Sequence, residues 1–388
     1  MTDDTATTPR VTRSTALRIA LVLSLGVLLV GSVRFARFDW TGIPLERGRA
    51  VQERVVSEDC TELIRPYTTS SGRTISPVSV DEQQYLSMVD MFSGTPRDEL
   101  HVTCMLAPFT TRPALPWVAS LLPFDEAVSI GTVNLVMTLL ATWAVVFTLR
   151  AQGAGWRAVA LVGALFAVSW NTLFFSSAIL VDAGAVALVA LCWWAMAARR
   201  AWWVPLLLVV SYPIKETAAV LVLPTLAVWL WGELRAGRRS TGAAVGLLGA
   251  AVLASIGSFV VSSVWFLDSD ATWELAPSLG SFVNNVLAPI SLATFLLGTA
   301  PLFVPALLRM RDQRREGGWR SLVTDPAAVG VGVTVVLLLW VTLAADLSSR
   351  FAWVGAPYAA SLAAAWLGHG RPAQWLEGLG RTRTSEAA

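Results

Sequence analysis

The chain reads as an all-α polytopic membrane protein of about ten transmembrane helices, with a large first extracytoplasmic loop that carries short amphipathic helices. Three observations predict this. Of its 388 residues 55% are hydrophobic and only 14% charged, with a mean hydropathy of +0.59, a composition that excludes an ordinary soluble enzyme. The apolar residues fall in long stretches almost free of charge, and about 20 such residues cross the ~30 Å hydrocarbon core. The basic residues gather in clusters between those stretches, so their placement says more than the net charge of +2.

The first apolar stretch, 17–33, follows Arg10, Arg13 and Arg18. No small-x-small cleavage site follows it cleanly, so it is read as a retained span behind a cytoplasmic tail, 1–16, and not as a signal peptide. Further basic clusters lie at Arg150 and Arg157, at Arg199 and Arg200, at Arg235, Arg238 and Arg239, between Arg309 and Arg320, and at Arg371, Arg381 and Arg383. If these clusters are cytoplasmic, each apolar block between two of them crosses an even number of times. The expected spans are 17–33, 127–149, 158–175, 178–198, 201–211, 218–231, 243–266, 287–308, 328–345 and 351–367. Both termini are then inside, with the membrane domain covering 17–370 and a cytoplasmic tail 371–388. The fifth and sixth spans are too short to stand upright, and Tyr212, Pro213, Lys215 and Glu216 interrupt them. Non-helical backbone at membrane depth belongs inside protein or beside a water-filled cavity, so the 212–217 segment is expected to wall a polar cavity on the outer side. Paired tryptophans such as Trp193-Trp194 and Trp202-Trp203 beside the Arg clusters read as an interfacial belt.

The loop 34–126 is too long for an idle connector. It holds Cys60 and Cys104 on the side where thiols oxidise, which predicts a disulfide between them, the other reading being two free buried thiols. Cys192 lies mid-span and reads as packing. Within the loop, 79–92 reads as an amphipathic helix: Ser79 is the N-cap with Glu82 three positions on, and Tyr85, Met88, Val89 and Phe92 share a face. Gly94, Thr95 and Pro96 end it. A second amphipathic stretch, 114–122, contains Trp117 and is expected to lie along the interface.

The order of these parts resembles the GT-C superfamily of integral-membrane glycosyltransferases. An acidic motif on a short loop helix is Asp81-Glu82-Gln83-Gln84-Tyr85. An Arg-Pro segment leading into the second span is Pro108-Phe109-Thr110-Thr111-Arg112-Pro113-Ala114-Leu115-Pro116. Lys215-Glu216-Thr217 stands at an outer hairpin tip, and the stretch from Asp346 to Arg350 precedes the last span. The layout spans most of the chain, although each motif is short. The resemblance implies transfer of a sugar from a polyprenyl-phosphate donor to an envelope glycan, lipid or protein acceptor, with inversion, at the outer face of a bacterial plasma membrane. It implies Asp81 as the base, with Glu82 in reserve, and leaves room for a divalent cation, Mg²⁺ or Mn²⁺, held by carboxylates.

Such chemistry needs a carboxylate to take the acceptor's proton and cations to hold the departing phosphate. Both acids also suit the positive end of a helix dipole. Lys215 is the one lysine among 28 arginines and sits at the expected cavity wall, where an ammonium could hold phosphate or pair with Glu216. Arg350 is the sole Arg on a short outer connection, with Asp346 as its alternative partner; Arg112 precedes the interfacial helix. Asp182 lies about one turn into a span, a functional candidate by default. Tyr85 and His101 complete the candidates. His101 and His369 are too far apart, and lack the Cys/His spacing, for a zinc site. The chain shows no phosphate-binding Gly loop, no dinucleotide fingerprint and no Gly-x-Ser-x-Gly. The Arg-rich 309–320 stretch is explained by topology, so no nucleic-acid partner is expected. Two rival readings are a multi-span transporter and a non-catalytic envelope scaffold or lipid-binding protein.

Overall fold

The computed structural model describes residues 11–36, 52–57, 60–64, 66–72, 74–75, 79–100, 102, 104–264, 269–272, 277–344 and 348–368. His101, Asp346 and His369 lie outside the described residues, as does the tail 371–388. The chain begins with α1 (Arg13–Ala36), which starts inside the stretch expected as a tail. The loop then contributes β1 (Gln52–Ser57), β2 (Cys60–Ile64), β3 (Tyr67–Thr68), β4 (Thr74–Ile75), α2 (Val80–Phe92), β5 (Leu106–Ala107) and α3 (Ala114–Ser120). The helical body follows: α4 (Glu126–Ala151), α5 (Trp156–Ala167), α6 (Trp170–Phe175), α7 (Asp182–Ala197), α8 (Trp203–Leu208), α9 (Ser211–Ile214), α10 (Thr217–Arg235) and α11 (Thr241–Val264). After β6 (Ala271–Thr272) come α12 (Leu279–Leu287), α13 (Pro289–Val323), α14 (Pro326–Ala344) and α15 (Arg350–Gly368).

This is a helical membrane protein. Among the described residues six helices are long and apolar enough to cross a bilayer, within α1, α4, α10, α11, α13 and α14; Trp156–Ala167 and Asp182–Ala197 are apolar but shorter. The lipid-ready faces are explicit: Val22, Leu25 and Leu29 on α1, Leu253 and Phe259 on α11, and Val336 and Leu339 on α14 are exposed.

Three expected spans are broken. The stretch 158–175 divides into α5 and α6 at Val168 and Ser169, where Ser169 Oγ caps the new helix by accepting from Thr172 N at 3.1 Å. Residues 176–181 are not α-helical, so α7 begins four residues later than expected. Their buried carbonyls need partners that no helix supplies, and Asn134 Nδ2 of α4 donates to both Ala178 O and Leu180 O at 2.6 Å. The stretch 201–211 becomes α8 and part of α9, and Lys215 is extended before α10. By contrast α13 outruns its expected end at 308. Its Arg, Met, Gln and Glu residues are strong helix formers, and the helix continues until Gly318, at φ +65°, breaks its direction.

Asn134 lies eight residues beyond Glu126 on α4, about 12 Å along the axis. The start of α7 is therefore sunk well below the top of α4. α7 itself has 16 residues, about 24 Å of helix, less than a full hydrocarbon thickness.

At the centre stands α15, buried along nearly its whole length from Ala352 to Trp366 and packed against α13, α14, α7 and α5. Close approach to α14 depends on two glycines. A Cβ at Gly355 would lie 1.9 Å from Thr334 Oγ1, and one at Gly330 would lie 2.5 Å from the Tyr358 ring. Small residues let helix backbones approach where no hydrophobic driving force separates helix from lipid.

The loop is more than a pair of helices. β1 pairs antiparallel with β2, and β3 with β4. β5 pairs in parallel with β6, 165 residues further on. Asp270 fastens that junction: its side chain accepts from Met105 N at 2.7 Å and from Arg97 at 2.8 Å. α2 has its predicted N-cap, Ser79 Oγ accepting from Glu82 N at 3.3 Å. The expected wet face is absent, however, because Glu82, Gln83, Gln84 and Ser87 are buried as fully as Tyr85 and Met88. The amide of Gln84 replaces water there, donating to Cys104 O at 2.7 Å and accepting from Leu106 N at 3.1 Å. α3 is two-faced, with Leu115 and Ala119 buried and Trp117 exposed.

Candidate functional site

Seven of the nine candidate charged or aromatic residues converge on one spot. Arg350 opens α15, and its Nη1 donates to Asp81 Oδ2 in the first turn of α2 at 2.7 Å. Lys215 Nζ donates to Oδ1 of Asp182, the first residue of α7, at 2.5 Å. Arg112 donates through Nε and Nη2 to Glu216 Oε2 and Oε1 at 2.9 and 2.5 Å, a bidentate fork. Its Nη1 reaches Tyr85 Oη at 3.5 Å. The pairs form one electrostatic unit: Asp182 is acted on by Lys215, Arg350 and Arg112 together. Three cations and three carboxylates leave it formally neutral.

Local structure explains each position. Asp81 is held in the first turn behind the Ser79 cap. Lys215 and Glu216 occupy the helix-free link between α9 and α10, the irregular backbone expected there. Asp182 lies at the sunken start of α7, and Arg350 at the start of the buried α15. All five stand at helix beginnings or links, and there residues 269 apart touch.

The three pairs differ in access. Lys215 and Asp182 have side chains only 5% and 2% exposed, whereas those of Arg350 and Asp81 are 23% and 14% exposed. The guanidinium of Arg112 is spent on Glu216 and Tyr85. Arg350 makes a single contact with Asp81, and its buried Nε has no hydrogen-bond partner. Phe351 floors the site, with Lys215 Nζ and Arg350 Cζ each 5.1 Å from its ring centroid. Neither Phe351 nor Trp353, whose buried Nε1 is also unpartnered, was among the sequence candidates. The available signal was their position immediately after the lone outer Arg. Beside the cluster, Tyr85 packs edge-on to Phe109 at 5.6 Å, and burial pushes its hydroxyl pKa well above the ordinary value.

The remaining candidates stand apart. Glu82 is buried in the α2 first turn next to its cap. Cys104 is in a disulfide and Cys192 is a free buried thiol; Cys60 is the remaining cysteine of the sequence, its side chain outside the described residues. No group of three or more His, Cys, Asp or Glu among the described residues is placed to hold a metal.

A second acidic cluster escaped the sequence reading. The Tyr67 hydroxyl donates to Asp90 at the far end of α2, and Glu126 accepts from Ser70 N at 3.0 Å. Asp125, the α4 N-cap, accepts from Ser71 Oγ at 2.9 Å. Burial and the neighbouring Glu126 carboxylate raise the Asp90 pKa to about 7, although the Tyr67 hydrogen bond opposes the rise.

The chain matches no family model, no curated protein and no solved structure at a significant level.

Proposed function

We propose that this protein is a GT-C-like membrane glycosyltransferase that moves a sugar from a polyprenyl-phosphate donor to an acceptor at the outer face of a bacterial plasma membrane. The chain would cross the bilayer about ten times, with both termini cytoplasmic. The observation that carries the reading is the meeting of Asp81, Arg350, Lys215, Asp182, Arg112 and Glu216 from distant segments at one recessed, loop-facing spot. A carboxylate with several cations beside it is what inverting transfer from a lipid phosphate requires.

In this reaction the acceptor oxygen attacks the anomeric carbon, its proton passes to Asp81, and the carbon–oxygen bond to the phosphate breaks. The bonding electrons leave with the phosphate oxygen, and its new negative charge meets Arg350, with Lys215 and Arg112 behind it. The recess beneath the top of α4 favours a donor that arrives from the lipid side. A transporter would instead place its ionisable residues near the bilayer midplane, whereas these six gather around the first-loop residues Asp81 and Arg112, at helix beginnings or on the links beside them.

The test is sugar transfer by the full chain in proteoliposomes, using donor lipids identified by comparing lipid-linked sugars and envelope glycans in cells with and without the gene. Asp81→Ala should lower the rate at least about 10²-fold, the lower end of what general-base removal costs, while the protein stays folded in the membrane. Undiminished transfer by that variant overturns the assignment.

A further inference from the structure

The three ion pairs cannot all persist when a phosphate binds. The cluster is neutral, so an anion entering it gains little net attraction unless a carboxylate gives way. Arg112 is the worst candidate to release its partner, since it makes two hydrogen bonds to Glu216 and a third contact to Tyr85. Lys215 is the most enclosed, between Asp182 and the face of Phe351. Arg350 has the weakest hold: one hydrogen bond to Asp81, the most exposed guanidinium of the site, and a buried Nε without an acceptor. An unsatisfied buried donor costs free energy that an incoming acceptor recovers, and a guanidinium fork matches a phosphate in two-point contact.

We propose that Arg350 is the anion site and that it keeps Asp81 in reserve: a phosphate takes the edge of Arg350 formed by Nε and Nη2, sharing its charge weakens the Nη1 bond to Asp81, and Asp81 is released toward the acceptor. The base is then free only when donor phosphate is present, which restrains idle reaction with water. Phosphate and Asp81 compete for one cation, so their binding is negatively coupled. This rests on the transferase reading for the role of Asp81, but the exchange itself is a binding property and is tested without turnover.

The experiment measures binding of farnesyl phosphate, inorganic phosphate and farnesol to the purified full-length protein in detergent, with folding of each variant checked by thermal unfolding. Asp81→Asn should bind farnesyl phosphate about tenfold more tightly than the unaltered protein, within the usual range of coupling between two ligands of one site. Arg350→Gln should bind it at least about tenfold more weakly, and combining the two changes should restore nothing. Asp81→Ser repeats the measurement with a different neutral side chain. A gain for both phosphates supports exchange at the anion alone; a gain for farnesyl phosphate only supports exchange and assigns the anion to a lipid headgroup. Unchanged or weaker phosphate binding by the Asp81 variants overturns the proposal, as does an equal gain for farnesol. Transfer activity without the binding gain would remove the exchange and leave the transferase standing; the gain in a protein that transfers no sugar would do the reverse.

Discussion

Lys215 and Asp182 form the deepest ion pair of the site, and its energetics are those of a buried pair: removal of one partner strands the other charge. Lys215→Met should cost about 3–5 kcal/mol, seen as a lowered unfolding midpoint in detergent, and a second change, Asp182→Leu, should recover most of it. Equal stability of the single variant would show that Arg350 and Arg112 suffice to hold the Asp182 charge without Lys215. Asp90 offers a different test. Its folded pKa of about 7 stands above the unfolded value near 3.8, so between those values the folded state binds the extra proton. This contribution to stability is full below the unfolded value, is lost progressively as pH rises from there to about 7, and levels off above it. Asp90→Asn, which mimics the protonated acid, should raise the unfolding midpoint at pH 8 and leave it nearly unchanged near pH 3, where the acid is protonated in both states. Asp90 was invisible in the sequence because an acid on the C-terminal half of an amphipathic helix looks solvated. Lys215 and Arg350 were visible because a charge between apolar stretches is expensive and therefore rare, and Asp81 because of its place in the first turn of a loop helix in a motif that resembles a known family. Their pairing was not, since 269 residues separate Asp81 from Arg350 and no local pattern records a contact at that range.

Element boundaries were legible where capping and periodicity agreed, as at Ser79 for α2. They were not where an expected span is interrupted. The α5–α6 and α6–α7 interruptions depend on acceptors and donors from elsewhere, notably Asn134 on α4 bonding the carbonyls of Ala178 and Leu180. The short strands of the loop were missed for a related reason: β5 exists only because β6 arrives beside it. The α14–α15 contact is the most sensitive element pair. Gly355→Ala inserts a methyl 1.9 Å from Thr334 Oγ1, and overpacking of this kind costs about 1–3 kcal/mol. Thermal unfolding should show the loss, and Gly355→Ala combined with Thr334→Ala should be more stable than Gly355→Ala alone. Independent, additive effects of the two changes would contradict the contact.

For the whole molecule, the long apolar stretches foretold a helical membrane protein, and among the described residues six helices are long and apolar enough to cross a bilayer. Arginines also lie over tryptophan rings away from the site: Arg235 over Trp231 at 4.8 Å, Arg239 over Trp229 at 5.3 Å and Arg314 over Trp319 at 4.2 Å. Of the tryptophans expected in a belt, Trp202 and Trp203 are exposed, but Trp193 is buried in the core and donates to Ser361 Oγ at 2.8 Å. Single cysteines placed in the 309–320 segment should react with a membrane-impermeant thiol reagent only after cells are opened, while one at Ser71 should react in intact cells; the opposite labelling would invert the topology. The position of α15 has a consequence for biogenesis. The helices that wall it, α4, α5, α7, α13 and α14, are all synthesised first, so they must wait in the bilayer around an unfilled slot. Only when the segment beginning at Arg350 slides in is Asp81 given its partner. Assembly of the core and arming of the site are thus one late event, and a ribosome stalled before residue 350 would leave an inserted but unfinished barrel of helices for quality control to recognise.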